Sequence, residues 1–161
     1  MAVDMFLKID GIPGGSADSK HKDEIEVMSY SWGLTQTGTM AFGGGGGAGK
    51  VQFQDFHFAQ EVGKASPLLF KSCASGQHIK VATLTVRKAG ESQQEFLQIK
   101  LNDVLISSYS SSGASGGDAV PVDQFSINFA KIEYAVTTQE DTGRPSETLK
   151  AGWDLKANKA V

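Results

Sequence analysis

A mainly β fold of about eight strands with one short α-helix is predicted by three observations. Apolar and polar residues alternate with period two along most of the chain, which puts one face of each strand in a core and the other in water. Turn-forming residues separate these stretches at short intervals, and only one segment has the start and stop signals of a helix. Such a pattern in 161 residues argues for one domain, residues 1–161, built as a β-sandwich or barrel.

The elements follow in order. Residues 3–9 alternate Val3, Met5, Leu7 and Ile9 with Asp4, Lys8 and Asp10. Residues 24–32 read as a second strand. Glu26, Met28, Tyr30 and Trp32 lie on one side, bulky enough for a core, and Ile25, Val27, Ser29 and Ser31 lie on the other, which shrinks to hydroxyls toward water or a cavity. Residues 51–58, 79–88 and 95–106 read as further strands, the last two separated by Ala89 and Gly90. In residues 125–136 the apolar frame runs Phe125, Ile127, Phe129 and then shifts to Ile132, Tyr134, Val136, which predicts a β-bulge near Ala130 and Lys131. Trp153 and Leu155 suggest a short closing strand.

The helix is placed at about Ser66 to Gly76: Ser66 can cap the first free N–H groups, Pro67 suits the first position, and Gly76 can adopt the left-handed stop. Leu69, Phe70 and Cys73 should then share a face, with Cys73 a small buried hydrophobe. Residues 11–20, 107–118 and 140–148 are polar, with Gly or Ser, and read as loops.

Composition excludes several classes. Fifteen basic against 18 acidic side chains, a formal charge of −3, give no basic excess for a phosphate backbone, so no nucleic-acid partner is expected. The longest aliphatic or aromatic runs, 68–70 and 104–106, are far short of the ~20 residues needed for a bilayer, so no membrane insertion is expected. The start lacks the basic and apolar regions of a secretory signal. With one cysteine no internal disulfide can form. Glycine is the anomaly, with 19 residues, six of them between Gly43 and Gly49.

Three stretches imitate catalytic motifs. Residues 44–50 match the first seven positions of the phosphate loop G-x-x-x-x-G-K-[S/T]. The eighth is Val51 where a magnesium-binding hydroxyl belongs, and a strand pattern follows in place of a helix. Residues 113–117 fit G-x-S-x-G around Ser115, but no histidine follows His78 to complete a triad. His21, His57 and His78 have no metal-ligand spacing and read as surface or strand-face residues. No catalytic, cofactor or metal site is assigned. The glycine run, flanked by Met40 and Phe42 between two strands, reads as a projecting loop ordered by packing on a neighbour.

Taken together, several blocks resemble the haemolysin-coregulated protein (Hcp) family of bacterial type VI secretion systems. They are Met5 to Ile9, the segment ending Ser31-Trp32-Gly33, residues 38–51 (GTMAFGGGGGAGKV), Ser66-Pro67, residues 84–90 (LTVRKAG), residues 128–132 (NFAKI) and residues 152–156 (GWDLK). The resemblance spans nearly the whole chain. It implies a β-barrel with one flanking helix, assembled as a hexameric ring. Rings stack into a hollow tube that a contractile sheath propels behind a valine-glycine-repeat spike protein, with small effector proteins held in the lumen. It implies that Gly38, Thr39, Met40, Ala41, Phe42, Gly43, Gly44, Gly45, Gly46, Gly47, Ala48, Gly49 and Lys50 form the loop between rings, and that Ser31 and Ser29 face the lumen. It further implies synthesis in the bacterial cytoplasm and secretion without a cleaved signal peptide. The few residues after Lys156 leave no room for an appended toxin domain, so a tube and carrier is expected. Two other readings compete: a monomeric β-barrel that binds a small ligand, and a nucleotide or ester hydrolase acting through residues 44–51 or Ser115.

Overall fold

The computed structural model describes residues 2–38, 50–90, 93–140 and 142–161. The fold is mainly β with one short helix. Eleven strand segments occur among the described residues, more than the eight or so expected. They are β1 (Val3–Ile9), β2 (Ile25–Glu26), β3 (Ser29–Ser31), β4 (Leu34–Thr35), β5 (Gln52–Phe53), β6 (Phe56–Glu61), β7 (Ile79–Lys88), β8 (Glu95–Ser112), β9 (Val122–Gln139), β10 (Pro145–Asp154) and β11 (Lys159–Ala160), with α1 (Ser66–Ser75) between β6 and β7. Nine strands form one sheet whose path is β11-β10-β9-β8-β7-β1-β2, with β3 joined to β6 and β6 to β9. β4 and β5 form a separate two-stranded ladder. No helix among the described residues is long and apolar enough to cross a membrane.

The expected strand over 24–32 is two strands with a break. Val27 donates its N–H to Met5 O on β1, while Met28 donates to Ala59 O on β6, so the chain passes from one neighbour to another between adjacent residues. That hand-over breaks the alternation. Ile25 and Val27 are buried before it, Tyr30 and Trp32 pack on the core after it, and Met28 is 54% exposed. The strand expected over 51–58 likewise splits into β5 and β6. β7 matches its predicted span, whereas β8 runs on to Ser112 through residues expected to be loop, and β9 extends beyond 125–136 at both ends. β10 takes up the last four residues of the loop expected over 140–148 and reaches Trp153 of the anticipated closing strand.

The frame shift near Ala130 is present, but it is not a one-residue bulge. Asn102 pairs with Lys131 and Val104 with Phe129 in one unbroken register. The buried frame shifts together on both strands, from Leu101 to Val104 and from Phe129 to Ile132. Asp103 between them has φ +52°, a left-handed conformation that aspartate tolerates better than most residues. The extra residue lies elsewhere. Ile106 pairs with Ile127 and Ser108 with Ser126, leaving Ser107 bulged out of β8.

Helix α1 starts one residue earlier than its cap signal implied, because Ala65 is the N-cap and makes no side-chain cap bond. Ser66 instead accepts the Gly63 N–H at 3.0 Å and donates to Asp123 Oδ2 at 2.5 Å. The stop is as predicted, with Gly76 at φ +64° and N–H bonds from Gly76 and Gln77 to the Cys73 and Ser72 carbonyls. The helix seats Leu69 in the core at 0% exposure, but Phe70 points away at 60% and Cys73 is half-buried against the core, so the three do not share one buried face.

The core joins Leu7, Leu84, Ile99, Ile106, Ile127 and their neighbours to an aromatic row in which Trp32 and Tyr30 stack on Phe56, Phe56 on Phe58, and Phe58 on Phe125. Each such side chain contributes roughly 1.5–3 kcal/mol on full burial. Residues 11–24 form a strap that lies across the opposite face of β1 and β7. Its two arms are joined to each other by the N–H groups of Gly14 and Ser16, donated to Asp23 O and Glu24 O. A side chain at Gly14 would put Cβ 2.4 Å from Glu24 O, so the close approach requires glycine. Under the strap Phe6 is 3% exposed, although its alternation places it outside the core.

Candidate functional site

The candidate site is the outward face of β3, β6, β9 and β8. Directly paired residues of an antiparallel sheet share a face. In register, Ser31 pairs with His57, His57 with Ser126 and Ser126 with Ser108. One step along, Ser29 pairs with Ala59, Ala59 with Gln124 and Gln124 with Ser110. These two rows put the sequence-predicted Ser29 and Ser31 on the same face as two serines of β8, with β6 and β9 between them. Ser29, Ser31, His57, Ser108, Ser110 and Gln124 are exposed. Tyr30, between the two serines, turns inward onto Phe56, and burial pushes its hydroxyl above the ordinary tyrosine range, with Tyr134 adding to the shift. The face therefore has small hydroxyls outside and aromatic rings beneath.

A hydrogen-bonded floor holds this surface in place. Ser126 is 2% exposed, and its Oγ lies 2.7 Å from Ser107 Oγ and 2.5 Å from Ser108 Oγ. Ser107 donates to Asp55 Oδ2 at 2.7 Å and Asn128 donates to Asp55 Oδ1 at 2.8 Å. Deeper, the fully buried Asp123 accepts from Tyr109 at 2.8 Å, from Gln60 at 3.0 Å and from Ser66. Those three donors satisfy a carboxylate that has no cation beside it in its hydrogen-bond set and tie β6, β8, β9 and α1 together. Burial, and then the bond to Asp123, hold the Tyr109 hydroxyl above its usual range.

Sequence reasoning placed residues 107–118 in a loop and so missed Ser108 and Ser110. The signal was available in S-S-Y-S-S-S, where Tyr109 points inward between serines pointing out, but the Ser107 bulge shifts that alternation out of phase with the preceding strand.

Of the residues assigned to the contact loop, Gly38 and Lys50 are exposed. Thr39, Met40, Ala41, Phe42, Gly43, Gly44, Gly45, Gly46, Gly47, Ala48 and Gly49 lie outside the described residues. The flanks are placed by the β4 and β5 ladder, with Leu34 opposite Phe53 and Thr35 opposite Gln52. The chemistry-like motifs find no supporting geometry. A strand, β5, follows Lys50 and Val51 where a phosphate loop needs a helix. Ser115 is exposed between the ends of β8 and β9, and among the described residues no helix follows it. His57 is exposed on the sheet face and His78 is exposed beside Asp103. His21 departs from its expected surface position and is 7% exposed under the strap. Among the described residues no group of three or more His, Cys, Asp or Glu side chains could hold a metal ion.

Comparison with known proteins gives concordant results. Residues 6–136 match the family model described as "Type VI secretion system effector, Hcp". The chain is 44% identical over 160 residues to the protein hcp1 of Pseudomonas aeruginosa strain PAO1, covering 98% of each chain. Among solved structures it is similar to Hcp1 from Salmonella typhimurium, with 36% identity, a TM-score of 0.82 and 100% of both chains covered. A structure titled as a type six secretion system protein has 28% identity and a TM-score of 0.94, covering 99% of this chain and 100% of that one.

Proposed function

The chain belongs to the Hcp family of type VI secretion proteins, and from that premise we propose that six copies close into a ring and that rings stack into a hollow tube. Tube and effector-carrier roles fit the family. The observation that carries the reading is likeness along the whole chain, in sequence and in fold together.

Each subunit is a single barrel. The passage of the chain from β1 to β6 at Val27 and Met28, and the pairing of β6 with β9, support that description, since they lead the far end of the sheet back to its middle. The Ser29 and Ser31 face lines the lumen, where exposed hydroxyls let folded cargo bind or slide without a strong apolar trap. Small effector proteins are that cargo. Residues 38–50 reach the next ring from the β4 and β5 ladder. Each subunit carries −3, so stacked rings repel, and shape and apolar contact at Met40 and Phe42 must offset the repulsion. The partners are the valine-glycine-repeat spike protein at the tip and the contractile sheath outside. The protein is made in the cytoplasm, leaves by this route without a cleaved signal peptide, and has no enzymatic activity.

The test is solution mass by size exclusion with light scattering. A ring gives roughly six times the 17.1 kDa subunit. A particle of subunit mass overturns the ring and favours the ligand-binding monomer, while a nucleotide-induced thermal shift or esterase turnover that depends on Ser115 overturns the non-enzymatic reading.

A further inference from the structure

His21 belongs to the 11–24 strap and is 7% exposed, and its role is argued independently of the proposed tube. The His21 ring stacks on Phe6 with centroids 4.4 Å apart and planes 8° from parallel. Its Nδ1 lies 2.9 Å from Glu24 Oε2, and its Nε2 lies 2.8 Å from Glu95 Oε1. Ionised carboxylates only accept hydrogen bonds. A neutral imidazole has one N–H and can serve one of them, so both contacts together require a proton on each ring nitrogen.

The groups around the ring divide into a latch and a fixed pin. Glu24 belongs to the strap itself and Glu95 to the start of β8. β1 contributes Phe6 and Asp4, and β7 contributes Arg87, whose guanidinium carbon is 4.8 Å from the centre of the Phe6 ring. Arg87 is neutralised by Asp18 on the strap and by Asp4. The strap also carries Lys20 and Lys22 on either side of His21 and Asp23 beside Glu24. The Glu24 side chain is 13% exposed and that of Glu95 is 44% exposed. When His21 has one proton, water can replace the imidazole at Glu95 more readily than at the shielded Glu24.

We infer that His21 is a proton-dependent latch, tying the 11–24 strap to β8 through Glu95 when the imidazole is charged and releasing that tie when it is neutral. The sign follows from the partners: two ionised carboxylates are both served only by a ring with a proton on each nitrogen, so the tie belongs to the charged imidazole, the form that lower pH favours. The Arg87 to Asp18 pin keeps its charges throughout, so release opens the Glu95 end of the strap and leaves the other end attached.

Native-state hydrogen exchange on the full chain tests this, with rates corrected for intrinsic pH dependence. The reporters are the Gly14, Ser16 and Asp23 amides, each bonded within the strap. Their protection factors are expected to fall about fivefold or more between about pH 5.5 and about pH 8.5. In Glu95→Gln the side-chain amide can donate to the bare Nε2 of a neutral imidazole, so protection should stay level over the same range. A wild type with level protection overturns the latch, and so does a Glu95→Gln protein whose protection falls in parallel with the wild type.

Discussion

Arg87 clamps Asp18 through two parallel bonds, Nη2 to Oδ1 at 2.6 Å and Nη1 to Oδ2 at 2.9 Å, across 69 positions of sequence. The guanidinium is 3% exposed and joins β7 to the strap. Paired geometry of this kind gives direction as well as attraction. Asp18 also accepts the Lys20 N–H, so one carboxylate both shapes the strap and fastens it.

That clamp predicts a specific acid dependence. The bonds from Arg87 lower the Asp18 carboxyl to about 2, and the Arg87 guanidinium is raised in turn, mainly by Asp18. A carboxylate with a depressed pKa contributes stability that is fully present above its unfolded value and is lost as pH falls through its folded one. Asp18→Asn should therefore lower the urea midpoint at neutral pH, and its deficit against the wild type should shrink as pH falls from about 4 to about 2. A deficit unchanged over that interval would refute the assignment.

Asp123 provides a test of the floor beneath the serine face. Asp123→Ala leaves the Tyr109 and Ser66 hydroxyls and the Gln60 amide without their acceptor in a fully buried place. The expected cost is about 3 kcal/mol or more. Asp123→Asn keeps one oxygen and should cost less. Urea unfolding with an unchanged slope measures both, and an alanine variant within about 0.5 kcal/mol of the wild type contradicts the network.

Deleting residues 43–47 should leave the fold and the ring intact and reduce tube formation. The described strands on either side, β4 and β5, form a ladder separate from the main sheet, so the deletion spares the core pairing. Normal stacked tubes of the variant in electron micrographs would refute the contact role.

Replacing Ser31 by arginine should leave ring size unchanged and lower co-purification of small effectors, because the position is exposed beside His57 and opposite the core. Loss of the ring in size exclusion with light scattering would place Ser31 at a subunit interface instead.

Much of the fold is legible along the chain because local pattern carries it. β7 needs only its own alternation between two turns, and the helix stop at Gly76 needs only a residue that tolerates positive φ. Reading failed where a residue answers to two neighbours at once. Val27 and Met28 donate to different strands, and the frame shift at Ala130 depends on Asp103 in the adjacent strand. The candidate site shows the same division: Ser29 and Ser31 could be picked out by alternation, but Ser108 and Ser110 join them only through the pairing of β3 to β6, β6 to β9 and β9 to β8.

The sequence by itself determined the strand-dominated class, the one helix, the exposed placement of Ser29 and Ser31, and the family, since these rest on periodicity and on blocks of residues read in order. Tertiary structure alone decided that Phe6 is buried on the face opposite the core, that His21 meets Glu95, and that Asp18 meets Arg87. The reason is range. Side-chain alternation acts over two residues, whereas these contacts join positions 74 and 69 apart and exist only once the strap crosses the sheet.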